Sequence, residues 1–213
     1  MHPGKILRAF APIIAVALAV GASGCSGANV TINGEKGKRL AELDLTGKAP
    51  DEIVLLGPDR VEVTSGDKLA ITVDGDPEAA EHMRFSLKDG SLAILREGKD
   101  KLAGNQIAVV HVTMPAPRKL NMLGSGTITA GALAPEAEVT VAGSGQIETG
   151  SVSGSKLEVT LPGSGSFRAA GAVGTLDLTI LGSGTAQLDA LKAARAQQAF
   201  PSRPVRIIVP NPP

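Results

Sequence analysis

A three-residue phrase, Gly-Ser-Gly, is written four times in the second half of the chain and limits what it can fold into more than any other feature. Gly124-Ser125-Gly126, Gly143-Ser144-Gly145, Gly163-Ser164-Gly165 and Gly182-Ser183-Gly184 follow one another at steps of 19, 20 and 19 residues. A fixed period near 20 marks a chain of stacked, self-similar units. The flanks repeat as well. Four residues before each first Gly stand Leu120, Val139, Val159 and Leu178; two before it stand Met122, Val141, Leu161 and Ile180; between them lie Asn121, Thr140, Thr160 and Thr179. Apolar, polar, apolar at period two predicts a strand with one face in a core and the other in water. Four residues after the first Gly come Ile128, Ile147, Phe167 and Ala186. Nine after it come Leu133, Val152 and Leu191, while the third repeat has Ala172 and Val173 there, where its extra residue is expected.

Each repeat therefore reads as strand, corner, strand and second turn. The corner glycines, Gly124, Gly126, Gly143, Gly145, Gly163, Gly165, Gly182 and Gly184, are expected to be structural, accepting positive φ and letting coils approach closely. About four inward side chains per coil, at roughly 1.5–3 kcal/mol each, do not offset the ordering of a whole repeat. Coils must stack to be stable. The reading is an all-β chain, a parallel β-helix with coils of about 20 residues. Its core is a set of aliphatic columns, and Asn121, Thr140, Thr160 and Thr179 form an outward column, the candidate binding face.

Composition agrees with a narrow interior filled by small aliphatics: four Phe and no Tyr or Trp in 213 residues. Net charge is zero, and removing the first 24 residues with Lys5 and Arg8 leaves 19 basic against 21 acidic side chains, a net of −2. Without a basic patch or stacking rings, nucleic acid is not an expected partner.

Taken in order, residues 1–24 read as an export signal, positive at Lys5 and Arg8 and apolar from Ile6 to Val20, too short to span a bilayer. Ala22-Ser23-Gly24-Cys25 resembles the lipobox of bacterial lipoproteins, which implies lipidation of Cys25, the single cysteine. Stable membrane anchoring would follow from two or more acyl chains, and Ser26 after the cysteine implies, by the same resemblance, the outer membrane. Residues 25–38 form the lipidated cysteine and a tether or first edge strand. Short alternating runs follow at Leu40–Leu45, Ile53–Leu56, Val61–Thr64, Leu69–Val73, Phe85–Leu87, Leu92–Leu95 and Ile107–Met114, an all-β pattern. This irregular β-rich portion, 29–117, would supply early coils or a cap over the first coil's open edge. Asp76-Pro77-Glu78 predicts a short helix near 77–83, with Asp76 as its cap and Pro77 in its first turn. Beyond Leu191 the repeats stop: 192–199 is Ala-rich and predicts a short helix, and 192–213 as a whole reads as a helical or disordered tail. Residues 200–213 resemble the opening of periplasmic tripartite tricarboxylate solute receptors, though without the rest of that fold.

Motifs for catalysis or metal binding are weak. Gly154-Ser155-Lys156 lacks the spacing of a phosphate loop. The four corners carry no Asp for calcium repeats, and His82 and His111 have no second ligand at zinc spacing. His111, between Val110 and Val112, is expected to point outward. Neither a metal nor a cofactor is expected, and no residue is assigned a catalytic role.

The strand His111-Val112-Thr113-Met114-Pro115, the run Leu120–Leu123 and the four Gly-Ser-Gly turns together resemble the auto-transporter adhesin family with a head GIN domain, over 39–191. The resemblance implies a bacterial envelope protein with a β-helical fold. Members often place Asp after the turn, where this chain has Thr127, Gln146, Ser166 and Thr185. The function expected is that of a non-enzymatic, lipid-anchored envelope protein, an adhesin or scaffold contacting an envelope protein or glycan. The alternative is a glycan-active β-helix enzyme, a polysaccharide lyase or hydrolase. It would use the row Glu138, Glu158 and Asp177, each five residues before its turn.

Overall fold

Alternation of apolar and polar residues sets both the strands and their partners. The computed structural model describes residues 31–32, 35–97 and 106–199. The expected signal, Cys25 and residues 200–213 lie outside them. Two short strands, β1 (Thr31–Ile32) and β2 (Glu35–Lys36), form an antiparallel pair. The chain then enters one curled sheet: β3 (Glu52–Leu55), β4 (Arg60–Ser65), β5 (Ala70–Gly75), helix α1 (Pro77–Glu81), β6 (Met83–Lys88), β7 (Ser91–Arg96), β8 (Ala108–Met114), β9 (Lys119–Met122), β10 (Thr127–Ala130), β11 (Glu136–Val141), β12 (Gln146–Leu161), β13 (Ser166–Ile180) and β14 (Thr185–Ala199). The all-β class is as expected.

The repeats pair with one another in parallel and in register. Lys119–Met122 lies beside Glu138–Val141, Glu136–Thr140 beside Lys156–Thr160, and Lys156–Leu161 beside Thr175–Ile180. After the corners, Thr127–Ala130 lies beside Gln146–Thr149, and Gln146–Glu148 beside Ser166–Arg168. The strands β12, β13 and β14 run through the second bend, so each belongs to two successive layers. The inward columns Leu120–Val139–Val159–Leu178 and Met122–Val141–Leu161–Ile180 are fully or almost fully buried.

Two more layers precede the repeats, and the chain reaches them out of order. β3 pairs β9, placing Ile53 under Leu120 and Leu55 under Met122; β4 pairs β10 with Val61 under Ile128. Leu56-Gly57-Pro58-Asp59 is thus a corner in the place of Leu123-Gly124-Ser125-Gly126. On its other side β7 pairs β3 and β8 pairs β4, again in parallel. The antiparallel strands β6, on β7, and β5, on β8, close this end. The chain therefore begins in the third tier, runs out to the cap, and returns to lay the repeats on the opposite side. At the corner between β3 and β4, Asp59 is fully buried and Arg96 5% exposed. Arg96 donates through both Nε and a terminal nitrogen to the Asp59 carboxylate, which also accepts from the Ala108 amide.

Several expectations need correction. The corner glycines do not adopt positive φ; among the described residues only Gly75, Gly90, Gly171 and the non-glycine Asp89 do. What demands glycine at the corners is proximity: a Cβ on Gly143 would strike the Gly124 carbonyl, and one on Gly163 the Gly143 carbonyl. The third repeat is one residue short on its second bend, not long, because Gly171, at φ +120°, stands opposite Val152 and Leu191. Leu40–Leu45 is not a strand; Leu40–Glu42 is a 3-10 turn whose start is tied by the Arg39 amide to Glu42. Lys192–Ala199 is not helical. It extends β14, with Lys192 beside Ala172 and Ala199 beside Thr179. Local alanine preference is small per residue, and a continuous ladder outweighs it. The short helix expected near 77–83 forms over Pro77–Glu81, Met83 already starting β6, and the Asp76 carboxylate accepts from the Ala79 amide at 2.9 Å.

A charged and hydroxylated sheet face

The strands before the corners turn their outward side chains onto one face, and the register converts sequence positions into straight rows. Asn121, Thr140, Thr160 and Thr179 are neighbours in successive strands and all partly exposed. In-register strands sit about 4.7–4.9 Å apart, so this column is a regular ladder of one amide and three hydroxyls. Two residues earlier runs a second row: Glu52, Lys119, Glu138, Glu158 and Asp177. A third, Glu136, Lys156, Thr175 and Arg195, flanks it.

Ion pairs form within and between these rows. Lys119 Nζ is 3.1 Å from Glu138, and Lys156 Nζ lies 2.9 Å from Glu158 and 3.2 Å from Asp177. Hydrogen bonds to Glu158 and then Asp177 hold the Lys156 ammonium above its ordinary pKa. Glu52 differs: burial pushes its carboxyl up, with Ser91 and Lys119 pulling it partly back. Its Oε1 accepts from the Asn121 amide at 2.6 Å. A shallow depression of about 180 Å³ lies among Arg118, Lys119, Glu136, Glu138, Lys156 and Glu158.

The acidic row of Glu138, Glu158 and Asp177 is real, but Lys119 stands in it and Lys156 reaches it from the next row. All three carboxylates lie within ion-pair distance of a lysine ammonium. The lysines escaped the sequence reading, although the same step of 19 or 20 residues places Lys119 beside Glu138 and Lys156 beside Glu136. Around the corner, His111 points outward as expected, 41% exposed, with Nδ1 3.2 Å from Glu62 and Nε2 3.3 Å from Asp74. Among the described residues no group of three or more His, Cys, Asp or Glu is arranged to hold a metal ion.

With this geometry in view, comparison with known proteins is decisive about kinship. The family described as "Putative auto-transporter adhesin, head GIN domain" matches residues 49–200. The chain belongs to that family. The head GIN match thus takes in the two early layers, the antiparallel strands β5 and β6 that close them, and the whole of β14. Among proteins with curated descriptions, none matches. Two solved structures share the head GIN chain's fold. A putative adhesin from Bacteroides fragilis NCTC 9343 has a TM-score of 0.57 at 17% identity, over 72% of this chain and 74% of that one. A putative lipid binding protein from Parabacteroides distasonis ATCC 8503 has a TM-score of 0.54 at 20% identity, over 72% and 75%. Membership of an adhesin-like family points to the cell surface or envelope.

Proposed function

We propose that this head GIN protein is a non-enzymatic, lipid-anchored envelope protein that acts by contact. In this reading the stacked layers are a parallel β-helix, exported by the signal at 1–24, anchored through acylated Cys25, most suitably in the outer membrane, and tethered by residues 25–38. The surface it presents is the ladder Asn121, Thr140, Thr160 and Thr179. Its partner is an envelope protein or glycan.

The observation that supports this reading best is the in-register hydroxyl ladder beside charge rows in which Lys119 and Lys156 pair with Glu138, Glu158 and Asp177. Such a surface offers hydrogen bonds on a rigid lattice while keeping few uncompensated charges to desolvate when a partner docks. The test uses the full chain with Cys25→Ser, to remove the lipid, sedimented with purified envelope fragments. Native ladder residues should carry the protein into the pellet, and Thr140→Lys, Thr160→Lys and Thr179→Lys together should leave it in the supernatant with an unchanged melting curve. Equal sedimentation of both forms would remove the ladder from the proposal. Anchoring is tested separately: the unaltered chain should fractionate with membranes and the Cys25→Ser chain should not.

A further inference from the structure

We infer that β14 is a self-association edge, on which a second copy of this chain docks head to head. The two ends of the stack are unlike. One is closed by the antiparallel strands β5 and β6. At the other, β14 pairs with β13 and, among the described residues, with no other strand. Thr185 donates its amide back to Gly165, so by alternation along a strand the amides and carbonyls of Ala186 and Leu188 face the free edge. On the other limb the outward residues likewise bond backward, as Glu138 does to Arg118, leaving Ala196 and Gln198 to face that edge. An edge of this kind is a template for another strand.

The Gly-Ser-Gly corner is not written a fifth time in the sequence. Each corner glycine is required because a Cβ would strike the carbonyl of the layer beneath, as at Gly182 over Gly163. Positions 19 or 20 residues beyond Gly182 and Gly184 hold Pro201, Ser202, Arg203 and Pro204. A second copy needs no such corner if it pairs antiparallel. Of the registers in which free-edge residues meet, the one centred on Lys192 sets Asp189 opposite Arg195 of the second copy, and the two-fold axis repeats the pair. Asp189 and Arg195 are exposed, and neither has an ion-pair partner among the described residues. The same register places buried Leu188 and Leu191 opposite the small Ala196 and Ala193, large against small. Lys192 meets its own copy on the axis, a repulsion that limits the affinity.

Sedimentation equilibrium of the full chain carrying Cys25→Ser, over a wide concentration range, tests this. A monomer–dimer equilibrium is expected. Asp189→Arg alone and Arg195→Asp alone should each weaken it about tenfold or more, since each sets like charges together. The double swap should restore it, and all variants should keep the native circular dichroism at low concentration. Hydrogen exchange supplies the second readout: the Ala186 and Leu188 amides should be protected in the dimer and exchange in either single variant. A chain that stays monomeric at every concentration overturns the proposal, and protection of those amides in such a monomer would assign the edge to the chain's own tail. A dimer indifferent to the swaps overturns it as well.

Discussion

At the level of single residues, two kinds of position carry the stack. Val141 and Leu161 sit in dry columns with no exposure. Val141→Asp should unfold the repeats, because an unpaired carboxylate there has no partner, and a soluble variant with a normal melting temperature would disprove the column. Asp59 is the converse case, a buried charge made safe by Arg96 and the Ala108 amide. Asp59→Ala strands the Arg96 guanidinium and should lower stability by about 3–5 kcal/mol, read from urea unfolding. Glu52 gives a pH signature. Its carboxyl is raised above its ordinary value of 4.5 in the folded chain, so the folded state holds the proton more tightly than the unfolded one. The neutral form favours folding, and this contribution fades as pH rises through the raised value. Glu52→Gln retains an acceptor for Asn121 and should flatten that part of the stability–pH curve, visible in melting temperatures from pH 4 upward. An unchanged slope would show that Glu52 does not titrate there.

Elements were legible in proportion to how much of their pairing is written locally. The repeats state their register through the Gly-Ser-Gly spacing, and the strands at Ile53, Val61, Leu92 and Ile107 through alternation. The helix at Pro77 is declared by its cap, and Asp76→Ala should cost about 1 kcal/mol and loosen the β5–β6 end first, detectable as faster exchange at Ala79. Early coils or a cap were expected from 29–117, but the way the two early layers stack was hidden. Their corner keeps Gly57 but carries Pro58 and Asp59 where the repeats have Ser and Gly, and β7 and β8 are separated by residues 97–107, so neither shows the period. That β7 and β8 lie on the far side of β3 and β4 is a long-range fact with no local signal. Lys192–Ala199 misled for the opposite reason: its composition favours a helix, while the ladder offered by β13 decides the outcome. Of the candidate site, the hydroxyl column and the acidic row followed from the register. The lysines within those rows needed the register applied to cations as well.

For the whole molecule, the polar face is large and regular, and its ion pairs, Lys119 with Glu138 and Lys156 with Glu158 and Asp177, lie at the surface. High salt should therefore weaken the Lys119–Glu138 and Lys156–Glu158 pairs but barely change stability, since exposed pairs contribute about 0–1 kcal/mol; a large drop in melting temperature in salt would contradict this. The order in which the layers are laid has a separate consequence, for how such a chain can vary over time. β3 and β4 are walled in on both sides by segments that come later in sequence, so an insertion before Met114 disturbs the cap or the tiers it seals. After Met122 each span of 19 or 20 residues adds one layer and returns the chain to the same place, one step further along. Gene duplication or loss of such a span would lengthen or shorten the molecule from one side only, changing how far its face reaches while leaving the sealed end untouched.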